Sequence, residues 1–484
     1  MRPVRSVILL GSLTCFLWSA ASTWAECGLF YELAVRPSRA SVEVSIQGQE
    51  ARSAVPRLPS LLNRKTSPIA FLRLSPLEER LFADAADGRW DGHSLLTASL
   101  VASGVTDGQV LRRYEDQVTG LIEELHRSGA VEGTPRQKAQ AALEFLHRRV
   151  LVGGYQLDAT DLTLVLEQGR FNCVSASVLF NCLTAPFGLV TRGLEIPGHA
   201  MSRLVLADGT LDVETTCPEW FRLLNNPKKQ AELVEKRLGF RPRDEAAPRE
   251  VSDVELVATI YYNRGVDLLA QKQFAEAVAA NAKALELDPS STTARGNLLA
   301  TMNNWAIDLG SQGRYAEAAE LLRQGLAIDS GYETFKANFT HVHYQWVEEL
   351  CRDGEYRRAL DLLTAGAATV SGEPYFVKGK LEVYRRWVRQ CFQANEPERA
   401  FALLDEAKRV LGAGREVLGA EATELTYRAS ALLEEGRFAE AVALFDQGLI
   451  RQPDSVVLQQ HRQATLARWA QQSGQPAGAP ERNI

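Results

Sequence analysis

Cysteine is scarce in this chain, seven residues in 484. One, Cys15, lies in an N-terminal apolar run, which leaves Cys27, Cys173, Cys182, Cys217, Cys351 and Cys391. Six thiols could pair in an exported chain, but at this density they cannot frame the fold, so a disulfide scaffold is excluded. Positive charge is in deficit as well. A net charge of −6 gives no broad cationic field, which argues against nucleic acid as the main partner. No long low-complexity tract interrupts a composition of 45% hydrophobic and 24% charged residues, the balance of a folded soluble protein. Beyond the N-terminus no apolar run is long enough for a bilayer, so no integral span is expected in the mature chain. Cys173, Cys182, His199 and Cys217 lack any recognisable zinc-ligand spacing, and neither metal nor cofactor is expected.

The first residues carry an address. Arg2 and Arg5 precede the apolar run Val7–Ala20, and Thr23-Trp24-Ala25 places small residues at −3 and −1 of a cleavage point after Ala25. This predicts a signal peptide over 1–25 and export to a periplasmic or secreted location, or attachment to a membrane if the segment stays uncleaved. Residues 26–70 have little periodicity: Ser38–Gln47 is compatible with one exposed strand, and Arg52–Pro68 is polar and broken by proline, so a linker or loosely ordered arm is expected.

From Pro76 the spacing becomes helical. Leu77, Leu81, Phe82 and Ala85 predict one helix, Leu95–Val101 a second, and the apolar positions from Val110 to Leu125 a long third. Thr134–Val150 predicts a fourth, with Thr134-Pro135 as cap and first residue. Gly169–Thr216 then concentrates the chemistry. Asn172 is a good N-cap, and Ser175, Val178, Leu179 and Cys182 form a buried helical stripe behind Cys173. A thiol in a first helical turn lies at the positive end of the helix dipole, which favours thiolate. His199 follows a Pro-Gly corner, and Asp212 and Glu214 follow an Asp-Gly turn. Thiolate, imidazole and carboxylate in that order describe a nucleophilic site.

Asn172-Cys173, Pro197-Gly198-His199-Ala200 and Leu211-Asp212-Val213-Glu214-Thr215 resemble the transglutaminase-like superfamily of papain-type cysteine enzymes, over roughly residues 140–220. The resemblance implies Cys173 as nucleophile, His199 as general base and acid, and Asp212 as the group orienting the imidazole. It also implies thiol-dependent amide chemistry, hydrolysis or acyl transfer. Glu214 competes with Asp212, because residues two apart on a strand share a face. A strict Asp208-Gly209 hairpin turn would pair Asp212 with Val205, about 20 Å from His199 along the strand, so the triad requires a wider loop or a bulge. The Cys173 N–H is one natural oxyanion donor, and Gln168 either a second or an ordinary loop residue. Against the catalytic reading stand a disulfide from Cys173 to Cys217 or Cys27 and a purely structural His199.

Asn225–Arg249 is charged and contains proline, and residues 225–253 read as a linker between domains 71–224 and 254–470. The second domain repeats. Ala277, Ala318, Ala359, Ala400 and Ala441 each stand 41 residues after the last, three residues behind Phe274, Tyr315, Tyr356, Pro397 and Phe438. Five residues before each alanine is Lys272, Gly313, Gly354, Asn395 or Gly436, mostly types that tolerate a left-handed helix end. The unit resembles the tetratricopeptide repeat, usually of about 34 residues, and about five copies are expected. The longer period implies longer helices or loops. His341 and His343 are expected at the surface or in the groove, and 471–484 as a disordered tail.

The fold class expected is therefore α+β: a helical and antiparallel-sheet transglutaminase-like domain, then an all-α tetratricopeptide-like solenoid. The function expected is an exported cysteine peptidase, amidase or acyltransferase, with the array binding a protein or peptide. The alternative is a non-catalytic scaffold that keeps the same folds.

Overall fold

The helical and strand-forming periods of the sequence lead first to helices around a small sheet and then to a run of helix pairs. A computed structural model describes residues 61–62, 69, 72–196, 198–238 and 248–473. The expected signal peptide, the 38–47 strand, nearly all of the arm and most of the tail lie outside the described residues. Of the arm, Leu61 and Ile69 are buried in the core.

Four capped helices open the described chain: α1 (Pro76–Asp84), α2 (Leu95–Ala102), α3 (Gly108–Arg127) and α4 (Pro135–Arg149). Thr134 caps α4 in a reciprocal box with Gln137, and Pro135 takes the first helical position where its missing N–H costs nothing. Two short strands, β1 (Gly154–Tyr155) and β2 (Arg170–Phe171), pair in parallel across α5 (Leu162–Gln168). The central helix α6 (Cys173–Thr184) follows. Its length is buried against α2, α4 and an antiparallel sheet.

That sheet has the order β5-β4-β3-β6. β3 (Val190–Ile196) and β4 (His199–Leu206) form a hairpin with Ile196 opposite His199, and β5 (Gly209–Val213) adds beyond β4. The fourth strand comes from the stretch expected to be a linker. Residues 225–253 hold α7 (Pro227–Leu238) and β6 (Arg249–Val251), and β6 pairs with β3 through Gly193↔Val251. Glycine at 193 is required by that approach, since a Cβ there would lie 2.5 Å from Val251. A single apolar residue, Val251, anchors the strand among charges, which is why composition concealed it.

The repeats follow without a gap as five helix pairs and a last helix. They are α8 (Asp253–Ala270) and α9 (Phe274–Leu287), α10 (Thr292–Ser311) and α11 (Tyr315–Ile328), α12 (Glu333–Arg352) and α13 (Tyr356–Thr369). The remainder are α14 (Pro374–Gln393) and α15 (Pro397–Leu411), α16 (Arg415–Glu434) and α17 (Phe438–Arg451), closed by α18 (Val456–Gln472). All five alanines of the 41-residue step are fully buried. The five turn residues are all left-handed, glycines 313, 354 and 436 at φ 74–77° and Lys272 and Asn395 at 59°. Phe274, Tyr356 and Phe438 stack on Trp305, Trp387 and Trp469 of the following helix, with interplanar angles of 4–16°. The residues beyond the usual period lie in the first helix of each unit, 20 residues long from α10 to α16. His343 is a correction: it is buried, its Nδ1 donating to Phe339 O at 2.8 Å.

The first repeat helix belongs to both parts. α8 packs against α2, α6, β3 and β6 as well as α9. Arg249 holds Glu195 of β3 at 2.8 Å, Asp288 after α9 at 2.5 Å and Glu255 of α8 at 3.2 Å. Lys283 of α9 reaches Glu78 of α1 at 2.6 Å.

Candidate active site

The site grows from the start of α6. Asn172 Oδ1 accepts the Val174 and Ser175 N–H groups at 3.0 and 3.1 Å, and Ser175 Oγ accepts the Asn172 N–H at 3.0 Å. Asn172 Nδ2 also donates to Thr160 Oγ1 at 2.5 Å and Leu157 O at 3.1 Å, which ties the helix start to the loop after β1. Cys173 is therefore the first residue of a rigidly capped helix, a free thiol with 8% of its surface exposed. Cys173 therefore forms neither disulfide weighed above.

β4 begins at His199, directly after the left-handed Gly198 (φ 77°). The ring is wholly buried, and its Nε2 lies 2.6 Å from Glu214 Oε2. Nδ1 has no hydrogen-bond partner among the described residues, and Cys173 is the other side chain near enough to act on the ring's charge. Thiol, imidazole and carboxylate thus share one buried site. Glu214 Oε1 is held by the Thr216 hydroxyl at 2.6 Å and the Thr216 N–H at 3.0 Å, so both carboxylate oxygens are occupied.

The carboxylate is not the one the resemblance favoured. The β4–β5 register puts Asp212 opposite Arg203, two places from Val205, because the turn residues are Ala207 and Asp208. Asp212 forms a bidentate pair with Arg203 at 2.7 and 3.0 Å, and its side chain is 37% exposed. β5 ends at Val213, so the alternation that would place 212 and 214 on one face stops before Glu214, and the latter turns inward. The segment is then pinned inside the body: Thr215 Oγ1 bonds Ser177 Oγ of α6 at 2.9 Å, and Thr215 O accepts from His147 Nε2 of α4 at 2.9 Å.

These contacts set the charges. Burial opposes an imidazolium, but the Glu214 carboxylate and the contacts with Cys173 outweigh it and push His199 up to about 10. Burial raises Glu214, yet the His199 charge and the bonds from His199 and Thr216 hold it below the usual carboxylate range. The pair is a buried ion pair across neutral pH.

Two tyrosines complete the surroundings. The Tyr155 side chain lies near Cys173, and burial followed by the neighbouring sulfur raises its hydroxyl above the ordinary value. Tyr262, on the first repeat helix, donates to Glu195 Oε1 at 3.1 Å. Its hydroxyl is raised well above the ordinary value by burial, by Glu195 and also by Cys173. Neither was visible in the sequence, since both depend on contacts between distant segments. Gln168 is exposed at the end of α5 and bonds nothing in the site. No group of three or more histidine, cysteine and acidic side chains suited to a metal occurs among the described residues. No helix among them is long and apolar enough to cross a membrane.

Comparison with known proteins bears on the helical array. The family model described as "Tetratricopeptide repeat" matches residues 256–330. Among solved structures, the chain is similar to the TPR domain of P58(IPK), at 16% identity over 46% of this chain and 61% of that one, with a TM-score of 0.17. It is also similar to YrrB, described as a TPR protein with an unusual peptide-binding site, at 16% identity over 42% of this chain and 90% of that one, with a TM-score of 0.15. The first of these matches spans less than two thirds of the P58(IPK) chain. No curated protein matches the sequence. With the 41-residue period, the helix pairs and the matched family model in agreement, the C-terminal half carries tetratricopeptide repeats.

Proposed function

We propose that this protein is an exported cysteine enzyme of transglutaminase-like type that acts on an amide carbonyl of a protein or peptide, with the repeats recruiting that substrate or its carrier. The observation that carries the reading is the buried His199–Glu214 pair beside Cys173, the first residue of a capped helix. Cys173 Sγ attacks the carbonyl carbon as the thiolate, beside the His199 imidazolium. As the C–N bond breaks, His199 gives its Nδ1 proton to the leaving amine, and a thioester remains on Cys173. Water or a second amine then takes the acyl group, with His199 accepting the proton. Glu214 fixes the ring and balances its charge throughout. Hydrolysis and transfer differ only in the final acceptor.

The involvement of the array is supported by Tyr262, which brings the first repeat helix to the edge of the site. Tetratricopeptide repeats are surfaces for proteins and peptides, so a partner bound along the array is led toward Cys173. The test uses p-nitrophenyl acetate and the full chain. The expected result is a burst of one p-nitrophenolate per chain with the acetyl group mapped to Cys173, lost in Cys173→Ala and in His199→Ala while circular dichroism is unchanged. A wild-type chain that is never acylated at Cys173 would leave the non-catalytic scaffold as the reading.

A further inference from the structure

An attacking sulfur creates negative charge on the carbonyl oxygen, and the site must offer donors beside that sulfur to hold it. The first turn of α6 supplies few. Asn172 Oδ1 already takes the N–H groups of Val174 and Ser175, which leaves the N–H of Cys173 itself. Gln168, the other donor considered from the sequence, is exposed and away from the sulfur. One side-chain donor, that of Tyr155, lies near the sulfur.

We propose that Tyr155 is a catalytic residue of this site, its hydroxyl held near the Cys173 sulfur and donating a hydrogen bond to the substrate oxygen as that oxygen becomes an oxyanion. This rests on the cysteine-acylation reading above. Tyr155 pairs in parallel register with Phe171, two residues before Cys173, so the backbone fixes its distance from the nucleophile. Its ring packs edge-on against Phe171 at 6.0 Å between centroids, and Phe171 in turn meets His147 edge-on at 5.8 Å. The strand pair leaves no slack. A Cβ on Gly153 would lie 2.3 Å from Gln168 O, and one on Gly169 (φ 71°) 2.7 Å from the Gly153 N. The loop then returns through Leu157 O and Thr160 to the Asn172 cap. Donor and nucleophile are therefore held on one clamped loop–helix unit.

The hydroxyl keeps its proton through neutral pH, since burial and the adjacent sulfur both disfavour phenolate, and so it remains a donor. In the addition step the S–C bond forms and the carbonyl π pair moves onto oxygen. His199 keeps its proton for the leaving group, and the Tyr155 O–H bond stays intact while it donates to that oxygen. On collapse the pair returns, the C–N bond breaks with the His199 proton passing to nitrogen, and the Tyr155 hydroxyl releases the oxygen.

Alkylation and acylation separate this role from a structural one, because iodoacetamide displacement at sulfur builds no oxyanion. In Tyr155→Phe, which keeps the ring on Phe171, acylation of Cys173 by p-nitrophenyl acetate is expected to fall about 10²-fold, the typical effect of losing one oxyanion donor. Alkylation of Cys173 by iodoacetamide is expected to stay within about threefold of wild type. Equal losses in both reactions, or none in acylation, overturn the assignment. A wild-type chain that is alkylated but never acylated overturns the underlying cysteine chemistry instead, and the assignment with it.

Discussion

Replacing Glu214 by glutamine keeps the shape of the buried side chain and removes its charge. The rise of His199 from its ordinary 6.5 to about 10 amounts to about 5 kcal/mol in favour of the imidazolium at ~1.4 kcal/mol per pH unit. That net figure already includes burial, which acts the other way, so the attraction of Glu214 and Cys173 exceeds it. With glutamine at 214 burial is left largely unopposed, and the ring is expected to be neutral at pH 8. The stability consequence has a definite window. A histidine raised on folding stabilises fully below its unfolded value near 6.5, and this is lost as pH climbs toward about 10. A glutamate lowered on folding stabilises fully above its unfolded value near 4.5, and this is lost as pH falls below it. The wild-type advantage over Glu214→Gln is therefore greatest between about pH 4.5 and 6.5 and shrinks steadily to pH 10. Truncating one member of a buried pair costs ~3–5 kcal/mol when the other charge is trapped. Here the ring escapes part of that by releasing its proton, so about 2–3 kcal/mol is expected near pH 6. The assay is an NMR titration of the histidine ring protons, with His199 assigned among the seven histidines by its loss in His199→Asn, alongside denaturant midpoints at pH 5.5, 7.5 and 9.5. A wild-type His199 that titrates near 6.5, or a stability gap that widens toward pH 10, refutes the reasoning.

Asp212→Asn breaks the Arg203 pair at the sheet surface, and both acylation and the His199 titration are expected to remain within about twofold of wild type; a loss comparable to Glu214→Gln would restore Asp212 to the relay. Asn172→Ala removes the cap and leaves Thr160 and the first-turn N–H groups short of partners, a loss of about 2 kcal/mol. Hydrogen exchange at the Ala176 amide, bonded to Asn172 O, should then quicken about 30-fold if local opening follows the cap. In the repeats, Gly366→Ala drives a Cβ to within 2.2 Å of the Phe376 ring and is expected to destabilise by about 1–3 kcal/mol. Gly296→Ala, on an exposed helical face with nothing within 4 Å, should stabilise by about 0.5–1 kcal/mol. Denaturant midpoints that move together in these two variants would contradict the packing account.

The parts legible in the sequence were those written as local patterns. The 41-residue step fixes the alanine contacts, the left-handed turns and the aromatic stacks because each repeat sees only its neighbours. Asn172, Cys173 and the stripe behind them announce a capped helix for the same reason. What the sequence hid depends on pairing between segments. Glu214 replaces Asp212 because β5 ends one residue early and the turn sits at 207–208, and nothing in the alternation marks either event. Tyr155 reaches the sulfur through a strand of two residues. β6 hides within a charged stretch because β3 and α8 bury its one apolar residue.

The central claim is that the imidazole of His199 governs the sulfur of Cys173. Its most direct test is the rate of iodoacetamide modification, resolved by mass spectrometry over the five cysteines of the described chain, in wild type and His199→Ala between pH 5.5 and 9. The account predicts that Cys173 reacts first in wild type at pH 6.5 and slows at least about tenfold in His199→Ala, the other thiols being unchanged. Equal rates at Cys173 in the two proteins would contradict it.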